Sequence, residues 1–252
     1  MNLRFERSTK GEQPDGGDAA RYLISRRFPF YFSDILQTMA RHALGFNEKE
    51  LRVFQKLKNP RHIQDFLETL PINFEEHHDT FMSPRRILRE RKAHCLEGAV
   101  FAASALAVHG RPPLLLDLET TPNDESHVVT VFRERGRWGA VSKTNHAALR
   151  YRDPVYRSVR ELAISYFHEY FLDSGTKTLR SYGTLNLARF NRRNWTTDEE
   201  DLWYIERALV AARHFPIVTS ARARFLRRAD PIEQKAGKLT AWQKPQRHPL
   251  TH

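Results

Sequence analysis

The chain has one cysteine, Cys95, and the residues around it suit a nucleophilic thiol. It opens an apolar stretch, Cys-Leu-Glu-Gly-Ala-Val-Phe-Ala-Ala-Ser-Ala-Leu-Ala-Val-His, read as a helix over Cys95 to His109. A thiol at a helix N-terminus feels the partial positive charge of that end, which favours thiolate. The same end aims free backbone N–H groups at whatever lies beside the sulfur, giving part of an oxyanion hole. Further along, His127 opens the run Val128, Val129, Thr130, Val131. An imidazole beside the thiol can take its proton and later protonate a leaving amine. A polar cluster, Ser142, Thr144 and Asn145, follows, and one of these side chains can hold the second ring nitrogen. His94 is adjacent to the cysteine and can tune it. Glu97 favours the helix start. Asp124, on the loop before His127, is a weaker partner for the ring. One cysteine forbids an intrachain disulfide and a Cys-rich metal cage. His77 and His78 are neighbours whose side chains would diverge on a helix, so no metal site is expected, and no cofactor.

The elements that must position these groups are legible from periodicity and punctuation. Residues 1–18, with Gly11, Pro14, Gly16 and Gly17, read as a flexible lead-in. A helix capped near Ser33 and Asp34 is expected to run to Leu44 and stop at Gly45. Leu51, Phe54 and Leu57 mark a second helix ending near Asn59-Pro60, and a third runs from His62 to Pro71. Ser83 and Pro84 are a cap and a first helical residue for a fourth. The alanine-rich Cys95–His109 helix allows close approach of other elements and reads as central and buried. Gly110 and Pro112-Pro113 end it. Strands are expected at Leu114 to Leu118, His127 to Phe132 and Trp138 to Val141, the last two joined as a hairpin by Arg135-Gly136-Arg137. Val159 to Tyr170 reads as helix, residues 173 to 195 as irregular, and Asp198 to Arg213 as a helix with an acidic first turn. The chain from Gly237 reads as a tail. The expectation is one α+β domain over residues 19–236 with a flexible segment at either end.

Composition limits the classes. With 252 residues and 40% hydrophobic content, the chain can bury a sizeable core. The longest apolar run, near Ala99 to Val108, is about half the roughly 20 residues a bilayer span needs. The opening, Met-Asn-Leu-Arg-Phe-Glu-Arg, is charged where a signal peptide is apolar, so a cytoplasmic location is expected. The formal net charge is +11, which could attract nucleic acid. Acids interleave with the bases throughout, however, and arginine outnumbers lysine about threefold, as suits structural ion pairs. The densest patch, Arg85, Arg86, Arg89, Arg91 and Lys92, reads as a solvated helix face.

Residues from about Arg85 to Asn145, about a quarter of the chain, resemble the transglutaminase-like superfamily of thiol enzymes. The resemblance rests on Arg-Lys-Ala-His-Cys-Leu-Glu-Gly-Ala and its small-residue helix, then Gly-Arg-Pro-Pro and an apolar strand. His-Val-Val-Thr-Val-Phe and Gly-Arg-Trp-Gly-Ala-Val-Ser complete it. It implies a papain-like core, in which a central helix carrying the cysteine packs on a small antiparallel sheet, with helical extensions before and after. It also implies a Cys-His-Asp triad acting on amides, by hydrolysis or by acyl transfer to an amine. Cys95 matches the nucleophile and His127 the base. Trp138 matches the tryptophan of the return strand and is expected, with His94, to line the substrate cleft. The family's aspartate falls at Ser142, and the proline after it at Lys143. A serine can accept a hydrogen bond from the ring but cannot stabilise imidazolium as a carboxylate does; Asn145 could serve instead, as in Cys-His-Asn enzymes. The expected function is a thiol-dependent amidase, peptidase or acyltransferase whose partners are peptide, protein or small amide substrates. A catalytically degenerate peptide- or protein-binding module is the alternative, and a basic nucleic-acid binder the third reading.

Overall fold

The computed structural model describes residues 44–76 and 78–244. Contacts divide the chain between Met39 and Ala40, and all described residues belong to the second unit. The expected lead-in over 1–18, the helix over Asp34 to Leu44 (apart from Leu44 itself), His77 and the tail beyond Lys244 lie outside the described residues.

The structure is α+β, with a six-stranded antiparallel sheet and several helices. Helix α1 (Glu48–Lys56) starts with a reciprocal cap between Asn47 and Glu50. Helix α2 (Pro60–Glu68) has Asn59 as cap and Pro60 at its first position. In α3 (Pro84–Glu90) the Ser83 side chain accepts from the Arg86 N–H at 3.3 Å. Helix α4 (Cys95–Val108) is buried along nearly its whole length, as its even coating of small and apolar residues requires. The sheet comprises β1 (Leu114–Glu119), β2 (His127–Glu134), β3 (Arg137–Val141), β4 (Arg152–Tyr156), β5 (Ser181–Asn186) and β6 (His214–Pro216), in the order β4-β3-β2-β1-β5-β6. Between β2 and β3, Arg135 and Gly136 both take positive φ, 46° and 78°, the combination that matches a tight hairpin to strand twist.

Strand periodicity splits the core between the two faces of the sheet. Val128, Phe132 and Val141 join α1 to α4 in one cluster. Val129, Val131, Ala140, Leu116 and Leu118 pack on the other face with Tyr166, Tyr170 and α5 (Val159–Ile164). Helix α4 lies against β2, where the Thr130 hydroxyl donates to the Ala99 carbonyl.

Several expectations are corrected. The helix over Val159 to Tyr170 ends at Ile164 and gives way to a 3₁₀ turn at Phe167–Glu169. There the Ser165 hydroxyl donates to the Leu162 carbonyl at 2.6 Å, competing with the helical backbone. Residues 173–195 contain β5, whose outward polar residues hid it; Gly183 lets the His214 ring lie where a Cβ would stand 2.7 Å from Nε2. Strand β4 went unread because of Pro154, which a sheet tolerates at an edge. The helix over Asp198 to Arg213 is only α6 (Trp203–Val210). The acids before it serve α3 instead: Asp201 binds Arg86 at 2.7 Å and Glu199 binds Arg89 at 2.9 Å. With Arg85 on Glu50 at 2.7 Å, three of the five residues of the basic patch are held in ion pairs. Residues 237–244 of the expected tail are seated on the site, as described below. Among the described residues, no helix is long and apolar enough to cross a membrane.

Candidate active site

Cys95 is the first residue of α4 and His94 is its N-cap, in an extended conformation that turns the chain into the helix. Burial pushes the Cys95 thiol up. Hydrogen bonds and charge from His127 and His94 outweigh burial and bring the thiol down to about 5. The sulfur is therefore a thiolate at neutral pH, held between two imidazoles.

His127 opens β2 and pairs across the sheet with Leu118. Its Nε2 lies 2.9 Å from Ser142 Oγ, at the residue following β3. The Ser142 hydroxyl donates onward to the Leu149 carbonyl at 2.5 Å. With its proton so directed, the oxygen offers lone pairs to His127 and accepts the Nε2 proton. That leaves Nδ1 as the nitrogen that exchanges a proton with the thiol, bearing the lone pair while the sulfur is protonated and the proton once the thiolate forms. The support behind the serine is deep. Gln64, on α2, accepts the Ser142 N–H at 3.0 Å and donates to the Ser142 carbonyl at 2.8 Å. Leu149 is held at a left-handed φ of 59°, its N–H donating to Glu169 at 2.6 Å, and Arg152 pairs with the same Glu169.

Among the described residues, the hydrogen-bond partner of His127 Nε2 is a serine hydroxyl, whereas two carboxylates lie close to His94. Its Nε2 donates to the Thr80 carbonyl at 2.9 Å and lies 3.5 Å from Glu97 and 3.7 Å from Glu75. Glu97 is fully buried and accepts from the backbone N–H groups of Met82 and His94, each at 3.0 Å, and from the Thr80 hydroxyl at 3.0 Å. Burial pushes His94 down, but the Cys95 sulfur and Glu97 outweigh it and raise the ring to about 9. The 3.3 Å contact from the Leu96 N–H to Nδ1 needs a lone pair there. A charged ring has no lone pair there, and the Cys95 sulfur is then the acceptor beside it.

A cavity of about 490 Å³ opens over Cys95 and His127, walled by residues 124–126, residues 143–146 and Tyr170. His94 lines it as expected. Trp138 is not among its lining residues: it packs on the second core cluster with Arg133 over its ring, which corrects its assignment to the cleft. Asn145 lines the cavity but does not hold His127. Its amide donates to the Trp242 carbonyl at 3.0 Å and accepts the Trp242 N–H at 2.8 Å, leaving Ser142 as the residue behind the ring. Asp124 accepts from the Thr178 hydroxyl. Lys143 is buried, with Nζ donating to the carbonyls of Leu67 at 3.0 Å and Leu70 at 2.5 Å, and burial lowers it to about 8. Its stem lies so close to α4 that a Cβ on Gly98 would sit 2.3 Å from Lys143 Cβ. Gln64, Leu149, Glu169 and Tyr170 carried no local signal in the sequence, because each joins the site through folding alone.

The arrangement can attack an electrophilic carbon with sulfur, pass a proton through His127, and hold that ring in one tautomer. No protein-family model matches the chain, and no curated protein sequence matches it either, so these capacities stand on the geometry itself.

Proposed function

We propose that the protein is a cysteine-dependent amide hydrolase or acyltransferase of transglutaminase-like type, acting in the cytoplasm on peptide, protein or small amide substrates. The observation that carries this reading is the chain of hydrogen bonds from His127 through Ser142 to the Leu149 carbonyl, at a cavity that Cys95 and His127 both line. The Cys95 sulfur attacks the acyl carbon. The oxyanion forms beside the start of α4, where the Cys95 N–H has no intrahelical acceptor. His127 carries the thiol proton to the leaving amine, and a thioester remains. Water or a second amine then attacks, with His127 taking its proton. Ser142 holds the imidazole through its Nε2 proton, and His94, backed by Glu97 and Glu75, places positive charge beside the sulfur that favours the thiolate.

The test uses iodoacetamide and p-nitrophenyl acetate on the wild type and on His127→Ala. Expected are alkylation of Cys95 much faster than that of a free peptide thiol at pH 7, a burst of one acyl group per chain, and suppression of both by the substitution. Alkylation at the peptide rate overturns the proposal.

The replacement of an acid by Ser142 favours a second reading, a binding module that kept the architecture and lost turnover. Acylation without deacylation by water or by any amine offered would support it. The nucleic-acid reading has less behind it, since three of the five residues in the basic patch are paired with acids.

A further inference from the structure

Tyr170 carries a hydroxyl that the fold leaves without a partner. The residue follows the 3₁₀ turn at Phe167–Glu169, and its carbonyl accepts the Thr178 N–H at 3.2 Å. Its ring lies in the core cluster with Leu116, Leu118, Val129 and Leu179, and the side chain is 3% exposed. Its Oη has no hydrogen-bond partner, although the residue lines the cavity that holds Cys95. Tyr166, in the same cluster, is satisfied, its hydroxyl donating to the Arg150 carbonyl at 3.1 Å; the other buried phenol hydroxyl without a partner among the described residues, that of Tyr204, does not line the cavity.

A buried hydroxyl without a partner is a net cost to folding, and a ligand that brings an acceptor relieves it. The charged groups that face Tyr170 are Cys95, Asp124 and Asp117, all anionic when ionised. Burial first, and those charges after it, hold the phenol well above its ordinary range. It remains a proton donor throughout the range in which the thiolate is present.

Given the thiol chemistry proposed above, on which this inference rests, we propose that the Tyr170 hydroxyl donates a hydrogen bond to the carbonyl oxygen of the acyl substrate. It forms the second arm of an oxyanion site whose first arm is the Cys95 N–H. As the sulfur–carbon bond forms, the carbonyl π pair moves to oxygen, and Tyr170 stabilises that charge while keeping its own proton. On collapse the carbonyl re-forms, the carbon–nitrogen bond breaks, and the leaving amine takes its proton from His127. The ligand class is an acyl group, amide or ester, with its oxygen turned toward Tyr170.

The test compares the wild type with Tyr170→Phe, which keeps the ring and removes only the hydroxyl. Iodoacetamide alkylates sulfur without developing an oxyanion; p-nitrophenyl acetate acylates it through one. Expected are alkylation within twofold of the wild type, acylation slowed about tenfold or more, and a thermal midpoint no lower than the wild type's. Equal acylation rates overturn the role of Tyr170 while leaving the thiol reading intact. A parallel loss of alkylation and acylation also overturns it, because the residue would then act on the sulfur. A wild-type Cys95 that alkylates no faster than a peptide thiol overturns both proposals.

Discussion

Gln64 grips the backbone of Ser142 from both sides, accepting its N–H at 3.0 Å and donating to its carbonyl at 2.8 Å across 78 positions of sequence. The serine bonded to the His127 ring is thus fixed to α2 as well as to its own strand. Gln64→Ala strands a buried donor and a buried acceptor, at about 1–3 kcal/mol each. Denaturant unfolding should show a loss of about 2–6 kcal/mol for the pair, with slower acylation of Cys95 at conditions where the variant remains folded.

Substitutions at Ser142 should rank by hydrogen-bond logic. The position accepts from His127 and donates to Leu149. Asparagine offers both an acceptor and a donor, alanine neither, and aspartate two acceptors, one of them facing a carbonyl. Acylation rates with an activated ester should therefore fall in the order wild type, Ser142→Asn, Ser142→Ala. Ser142→Asp is expected to gain charge behind the ring but lose the Leu149 contact, visible as a lower thermal midpoint than Ser142→Asn.

The thiol reactivity should be nearly independent of pH over the neutral range. Folding depresses the Cys95 thiol to about 5, so alkylation stays on a plateau from about pH 6 upward and drops as the pH falls through 5. A peptide thiol gains rate up to its ordinary value near 8.5. The stability contributed by this ionisation is present above the ordinary thiol value and lost as pH falls through about 5. His94 has the opposite sign: raised from 6.5 to about 9, its share is complete below 6.5 and lost as pH rises through 9. His94→Asn keeps a capping side chain and removes the charge, so the alkylation plateau should retreat to higher pH.

Gly98 should accept no side chain. A Cβ there meets Lys143 Cβ at 2.3 Å, and Lys143 cannot withdraw without releasing the carbonyls of Leu67 and Leu70. Gly98→Ala should cost about 1–3 kcal/mol by overpacking, read from a thermal or urea midpoint. The accompanying shift between α4 and residue 143 should slow acylation more than it slows alkylation.

Much of the frame could be read from local chemistry. Ser83-Pro84 marked the start of α3, the alanine run marked α4, and Arg135-Gly136 marked the hairpin, because caps, small-residue faces and turns are written within a few residues. What was hidden depended on distant partners. The acids at 198–201 look like a helix start until α3 is brought opposite them. The polar outward face of β5 looks like loop until β1 and β6 pair with it. At the site, Cys95 and His127 could be matched through element order and His94 through adjacency. The choice between Ser142 and Asn145 could not be made, since it turns on whether Trp242 claims the amide. Trp138 was placed by resemblance, which gives its strand and not how near its ring lies to the cavity; the ring packs against the second core cluster.

Asn145 and Trp242 form a clasp with a further meaning. Ala241 donates to the Asn145 carbonyl at 2.8 Å and Ala147 to the Leu239 carbonyl at 3.0 Å, so the loop between the base's anchor and Leu149 is stitched to residues almost a hundred positions later. Shortening the protein at Gly237, or splicing a tag in at that point, would unseat one rim of the cavity without altering Cys95, His127 or Ser142. Samples made that way would report on a site with a loosened edge, and the reactivity of Cys95 in them would not stand for that of the intact molecule.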